Sequence, residues 1–163
     1  MISSTPTTLS FSVAGTPAPQ GSKRHVGGGR LIESSKKVGP WRAAVALATR
    51  RALTATGHPP FTGPCIVSAS FIFERPQSHY GTGRNAHTIR PSAPEEPTSR
   101  NVYGDLDKLA RALLDALTEG GAIEDDSLVV GLSASKAFVR GDLRPGAYVR
   151  IAHATSSERK AAA

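Results

Sequence analysis

A chain of 163 residues with 39% hydrophobic side chains is long enough to bury one core without staples, and a single domain over 1–155 is expected. Its one cysteine, Cys65, excludes an intrachain disulfide and a thiolate zinc cluster. The formal net charge of +7 suits a nucleic acid or another anionic partner, although surplus Lys and Arg also serve solubility. The N-terminus MISSTPTTLSFS has no basic start followed by an apolar core, and no apolar run nears the roughly 20 residues that span a bilayer. A cytoplasmic, nucleoid-associated protein with no membrane attachment is therefore expected.

In chain order, TLSFSVA at 8–14 alternates, with Leu9, Phe11 and Val13 on one side, which predicts a first strand. GTPAPQGSKRHVGGGR follows and is too rich in Gly and Pro for helix or central strand. It carries Lys23, Arg24, His25 and Arg30, and a solvated connection or a phosphate-gripping arm would both have this composition. Continuation of the charge through Lys36 and Lys37 favours the arm. The glycines at 27–29 are not a nucleotide loop, because no Gly-Lys-Ser/Thr closes them. Leu31 and Ile32 predict a short second strand.

Pro40 opens a helix in which Trp41, Ala44, Val45, Ala48 and Ala52 recur at three and four residues through about residue 55. Trp41 reads as a core anchor rather than a base-stacking ring. Gly57 and Pro59-Pro60 end this helix. CIVSASFIF then alternates, with Cys65, Val67, Ala69, Phe71 and Phe73 on one strongly apolar face. Cys65 is expected to be a buried thiol rather than a nucleophile.

Residues 74–104 show no periodicity and contain Pro76, Pro91, Pro94 and Pro97 with four arginines and two histidines. A loop of that length is functional or disordered, and because it leads into Asp105 it is read as a flap over the site, ordered by substrate or a second subunit. His79 and His87 are read as surface histidines before metal ligands. Beyond the central stretch, SLVVGLSASKAFVR alternates, with Lys136 interrupting its apolar face, and RGDLRPG and AYVRIA predict a turn and the partner strand of a hairpin. The tail 156–163 is expected to be disordered.

The stretch DLDKLARALLDALTEGGAIEDD, Asp105 to Asp126, holds seven of the thirteen acidic residues against Lys108 and Arg111, a local charge of −5 inside a +7 chain. Apolar residues at 106, 109, 110, 113, 114 and 117 predict a helix from near Asp107 to Thr118, ended by Gly120 and Gly121. Asp105 and Asp107 straddle its start, where one of them could be an ordinary N-cap. From Asp107 to Thr118 the helix advances roughly 16 Å. The eight steps on to Asp126 reach up to roughly 26 Å if extended. Asp125 and Asp126 are thus within reach of Asp105 and Asp107. Carboxylates brought together need cations, and an all-oxygen set selects Mg²⁺ or Mn²⁺ over zinc.

GDLDKLARALLDALTEGGAIEDDSLVV followed by SASK resembles the RusA-like family of Holliday junction resolvases, with its D-L-D-[NK] start, D-A-L-T helix, D-D pair and strand lysine. The likeness is strongest over 104–138 and extends weakly to the first strand, the GTPAPQGSKR loop and the closing strands. It implies an α/β (α+β) fold with a mixed sheet of about four to five strands and two main helices. It also implies a homodimeric, Mg²⁺-dependent endonuclease that makes paired nicks across a four-way DNA junction. The family's metal ligands fall on Asp105, Asp107 and Asp126, with Asp125 beside them. Its helix lysine falls on Arg111, which keeps the charge but disfavours proton transfer. Lys108 stands where the family often has Asn and can supply a compact cation. Lys136 matches the strand lysine and, with Lys23, Arg24, Arg30, Lys36, Lys37 and Tyr103, is read as a DNA contact. Tyr80 is a further aromatic candidate, and Asp115 is expected to pair with Arg111. A branched-DNA-binding protein that does not cut, and a metal-dependent nuclease for flaps or forks, are the alternatives.

Overall fold

In a computed structural model that describes residues 8–21, 23–25, 28, 31–33 and 36–155, nine regular elements follow one another. They are β1 (Thr8–Ala14), β2 (Lys23–His25), β3 (Leu31–Glu33), α1 (Val38–Thr56), β4 (Cys65–Phe73), α2 (Arg100–Tyr103), α3 (Leu106–Glu119), β5 (Val129–Phe138) and β6 (Gly146–His153). Four strands form one mixed sheet in the order β1-β6-β4-β5, in which only β4 and β5 are parallel. This sheet and the helices α1 and α3 make the expected α+β architecture.

Strand alternation sorts the sheet into two unlike faces. Register rows such as Leu9, Ile151, Val67 and Leu132, or Phe11, Val149, Ala69 and Ala134, run across all four strands on the helix side. Against them pack Trp41 and Val45 of α1 and Leu109, Leu113 and Leu117 of α3, all in one buried core. Each of these fully buried leucines stabilises the fold by about 1.5–3 kcal/mol relative to leaving it in water. The opposite face carries Ser10, Arg150, Ser68 and Ser133 in one row and Ser12, Tyr148, Ser70 and Ser135 in the next. They line an open groove of about 550 Å³.

α1 begins two residues before Pro40, which sits in its first turn, and ends at Gly57. It crosses α3 closely at Gly120, where a Cβ would lie 2.7 Å from the Thr49 Cβ and 3.0 Å from the Ala46 carbonyl oxygen. Arg42 ties the same two helices at their surface through Asp115 at 3.9 Å and through Glu119. Asp115 therefore pairs with Arg42 of α1, not with Arg111 four residues before it. The wider reach of Arg42 across the α1–α3 crossing supplies that partner.

Two strand expectations need correction. Lys23–His25, within the stretch read as loop, forms β2 and pairs antiparallel with β3 as a separate two-stranded sheet. β6 is not the hairpin partner of β5: it inserts between β1 and β4, where its alternate residues Ala147, Val149 and Ile151 are buried. β4 takes β5 in parallel on one edge and β6 antiparallel on the other, so β6 returns to the far side of β4 instead of pairing with β5.

Residues 74–99 contain 3₁₀ turns at Gln77–His79 and Gly83–Asn85 and an isolated bridge between Tyr80 and Ile89. Arg75 anchors the segment, donating to the carbonyls of Pro94 at 2.7 Å and Glu95 at 3.3 Å while its guanidinium lies 4.2 Å over the Phe138 ring. Arg90 donates to the Tyr80 carbonyl and Arg140 pairs with Glu96. A fixed set of contacts within one chain thus holds the loop that was expected to need substrate or a second subunit. Arg30 and the tail 156–163 lie outside the described residues.

Candidate functional site at the start of α3

The strongly amphipathic pattern of α3 buries Leu109, Ala110, Ala112, Leu113, Ala116 and Leu117 and leaves Asp107 and Arg111 exposed. Asp105 occupies the N-cap position with extended backbone, φ −80° and ψ 143°, yet its side chain makes no capping hydrogen bond. An N-cap aspartate ordinarily accepts from the second or third amide of its helix. Here the carboxylate instead faces Lys108 at 3.2 Å, an ion pair about two-fifths exposed. The ordinary-cap explanation of Asp105 therefore fails. Among the described residues Arg111 makes no ion pair, so its guanidinium projects from the same helix uncommitted.

The segment before Asp105 is tightly built. Tyr103 is buried, with its ring edge-on to Phe73 at 5.1 Å and Phe138 at 5.4 Å. Burial pushes its phenol pKa up, against a smaller opposing effect of the Arg75 charge. Tyr103 is thus a core residue and not the DNA contact expected of it. An aromatic beside an acidic motif serves either role, and only Phe73 and Phe138, distant in sequence, decide between them. His79 likewise packs edge-on to Phe138 at 5.5 Å.

Gly104 follows with φ +78°, and a Cβ there would run into the Pro19 ring. Its carbonyl accepts a 2.7 Å hydrogen bond from Nζ of Lys136. Nearby, the Gln20 amide donates to the Lys108 carbonyl at 3.1 Å. Gly104, Pro19 and Gln20 were not among the expected site residues. Pro19 and Gln20 leave as their trace in the sequence the weak likeness of the GTPAPQGSKR loop to the family, whereas Gly104 opens the GDLDK motif itself. Gly15, just after β1, packs on Trp41 near the start of α1, where Lys36 and Lys37 are exposed. Ala14 and Ile72 are both in register with Gly146, so these two lysines share one end of the sheet with Asp105. Lys23 and Arg24 lie in β2.

Asp126 is at the other end. The Ala122 amide bonds back to Leu117, the Ala122 carbonyl accepts from Phe61, and the Glu124 amide donates to the Phe61 carbonyl. Residues 122–124 are thereby held beside Phe61, just below the first residue of β4, and β5 then starts with Val129 opposite Cys65. The return toward Asp105 is made by β5 itself, which begins only after Asp126. With 14 residues, α3 is about 20 Å long at about 1.5 Å per residue, and Asp105 and Asp126 lie beyond its opposite ends. The expectation that residues 119–126 double back along the helix is overturned, because contour length allowed the route and the Phe61 bonds forbid it. Asp125 accepts from the Ser127 amide at 2.8 Å; the Ser127 hydroxyl and then this amide hold its pKa below the ordinary range, and both Asp125 and Asp126 are exposed.

The donor chemistry fits a hard cation, since only carboxylate oxygens are offered and the Asp105 carboxylate is not consumed by capping. The arrangement within one chain does not fit a complete cage. Among the described residues, no three or more His, Cys, Asp or Glu side chains stand where they could hold one metal ion. Asp105 and Asp107 make at most half of such a site. Among the described residues, no helix is long and apolar enough to cross a membrane.

No curated protein matches the sequence. The family model described as Endodeoxyribonuclease RusA matches residues 14–152, from the end of β1 almost to the end of β6, and so includes every residue of the α3 site. An uncapped aspartate, a conspicuously immobilised peptide before it and a basic surround thus fall inside one nuclease domain: the chain belongs to the RusA endodeoxyribonuclease family and is a nuclease.

Proposed function

We propose that this endodeoxyribonuclease resolves four-way DNA junctions in recombination and repair by paired symmetric nicks, acting as a homodimer with Mg²⁺, or Mn²⁺ in its place. The observation that carries the reading is the Asp105 carboxylate, which stands at a helix N-cap without capping and lies within the matched family domain. Asp105 and Asp107 of one copy and Asp126 would hold the ion. When bound, it supplies Lewis-acid neutralisation at the scissile phosphate and activation of water.

Because one chain keeps Asp126 at the far end of α3, the second copy is the natural source of the third carboxylate. A two-fold axis that sets the α3 helices antiparallel brings the Asp126 end of one copy to the Asp105 end of the other. β5 suits such an approach, being an edge strand beside α3 with Val130 and Leu132 about half exposed. Two linked sites also answer the substrate, since symmetric cuts on a four-way junction need two centres at a set spacing.

Within this reading the chain's own groups have separate tasks. Arg111 and Lys108 offset charge that builds on the phosphate oxygens during in-line displacement. The cut leaves a 5′-phosphate and a 3′-hydroxyl. Lys36 and Lys37, at the same end, draw in the flanking backbone. The test is incubation with labelled four-way junction, flap, fork and duplex in Mg²⁺ or EDTA. Symmetric nicks in the junction, lost in EDTA, are expected. Equal cutting of flap or fork would assign another branched substrate, and binding without nicks would make the protein a binding module.

A further inference from the structure

Lys136 breaks an otherwise apolar row. It lies in register with Phe71 and Ala147, on the face where α1 and α3 pack, and it is half-buried. A lysine in that position must find an acceptor, because burying an unpaired ammonium is costly. The acceptor is the carbonyl of Gly104, 2.7 Å away, and that carbonyl belongs to the peptide joining Gly104 to Asp105.

We propose that Lys136 is a positioning residue for Asp105 rather than a DNA contact. This rests on the nuclease reading only for its consequence on rate. Gly104 is held from three sides. Its amide donates to the Arg100 carbonyl at 3.0 Å, and its carbonyl accepts from Nζ of Lys136. Its Cα lies so close to Pro19 that no side chain fits, in a backbone conformation at φ +78° that favours glycine. Asp105 makes no capping bond of its own, and its one ion pair, to the partly exposed Lys108 one turn along α3, does not fix the backbone from which the carboxylate projects. The plane of the preceding peptide does. Lys136 reaches from β5 to the start of α3 and couples that plane to the sheet, as an outer partner orients a group that does the chemistry.

The test compares Lys136→Met, Lys136→Arg and Gly104→Ala in the full chain. The first readout is amide hydrogen exchange at Gly104 and at Leu109, whose amide donates to the Asp105 carbonyl at 3.1 Å. Leu113, deeper in the helix, is the control. In Lys136→Met both reporter amides should exchange at least about tenfold faster while Leu113 is unchanged, as local opening requires. Junction affinity in EDTA and its salt dependence should match the unmodified chain. Cleavage in Mg²⁺ should fall in kcat by up to about 100-fold at constant KM.

Lys136→Arg keeps a donor and should recover most of the rate. Gly104→Ala, which displaces the same peptide from the Pro19 side, should reproduce the loss and keeps the test open if Lys136→Met unfolds. The proposal is overturned if Lys136→Met leaves both reporter amides unchanged. It is also overturned if that variant weakens junction binding with a salt slope shallower by about one, the signature of a lost phosphate contact. If the unmodified chain cuts no junction, the nuclease substrate reading fails, and the exchange and salt arms still decide the role of Lys136.

Discussion

At its N-terminal end α3 starts from Gly104, fixed by Arg100, Pro19 and Lys136, and Asp105 meets solvent from that rigid base. At its C-terminal end the chain leaves through Gly120 and Gly121, touches Phe61 and carries Asp125 and Asp126 out on the exposed 3₁₀ turn Asp126–Leu128. Both ends bear carboxylates, but Asp105 follows directly on a glycine tied to the sheet, whereas Asp125 and Asp126 stand on an exposed turn. A site that must keep its geometry through turnover belongs at the fixed end. An exposed turn is better suited to enter a site on another molecule.

The sharpest way to break this comparison uses both ends at once. Asp107→Asn alone, and Asp126→Asn alone, should each lower cleavage by at least about 100-fold with junction affinity intact, as expected when a charge-stabilising group is removed. Mixing the two variants under conditions of subunit exchange should restore cutting. In a mixed dimer with sites shared between copies, one site collects both substitutions and the other collects neither. About a quarter of the original sites are then intact, and each such dimer nicks only one strand of the pair. If every site were complete within one chain, mixing would restore nothing, and gel quantification of nicks against mixing ratio separates the two.

What was legible in the sequence follows the range of the interactions concerned. α3 could be read because its burial depends on local period: 109, 110, 113 and 117 are buried as their spacing requires. The anomaly at Lys136 was equally visible, since one charge on an apolar face has few explanations, but its partner carbonyl lies 32 residues away and leaves no local mark. The place of β6 was misread because a Pro-Gly turn between two alternating runs looks the same whether the strands pair or cross over. Asp126 was misread for a related reason. The bonds from Phe61 to Ala122 and Glu124 join segments about sixty residues apart, and no pattern within either segment announces them.

Arg111→Ala sharpens the account of the fixed end by a smaller amount. Arg111 is exposed and takes part in no ion pair among the described residues, so its loss should barely move stability. Cleavage kcat should fall about 10–100-fold while junction affinity in EDTA drops by no more than a single phosphate contact implies. Arg111→Lys, which restores the charge without the planar fork, should recover part of the rate. Unchanged turnover in single-turnover kinetics would remove Arg111 from the site and leave Lys108 as the only helix cation near Asp105.

The smallest effect is expected at the exposed C-terminal end, from Asp125. Its carboxylate accepts from the Ser127 hydroxyl and, with a smaller effect, from the Ser127 amide, which lowers its pKa from the ordinary 3.8. A carboxyl with a depressed folded pKa contributes stability above its unfolded value, and that contribution disappears as pH falls through the folded value. Asp125→Ala should therefore have a slightly lower urea midpoint than the unmodified chain at neutral pH, with the gap closing on acidification below 3.8. Asp125→Asn keeps an acceptor for the Ser127 amide and should narrow the neutral-pH gap without its acid dependence. A gap that stays constant down to low pH would mean that the turn is held by shape rather than by charge. Asp125 would then be as free as Asp126 to leave its own chain, and the contrast between the two neighbouring carboxylates would vanish.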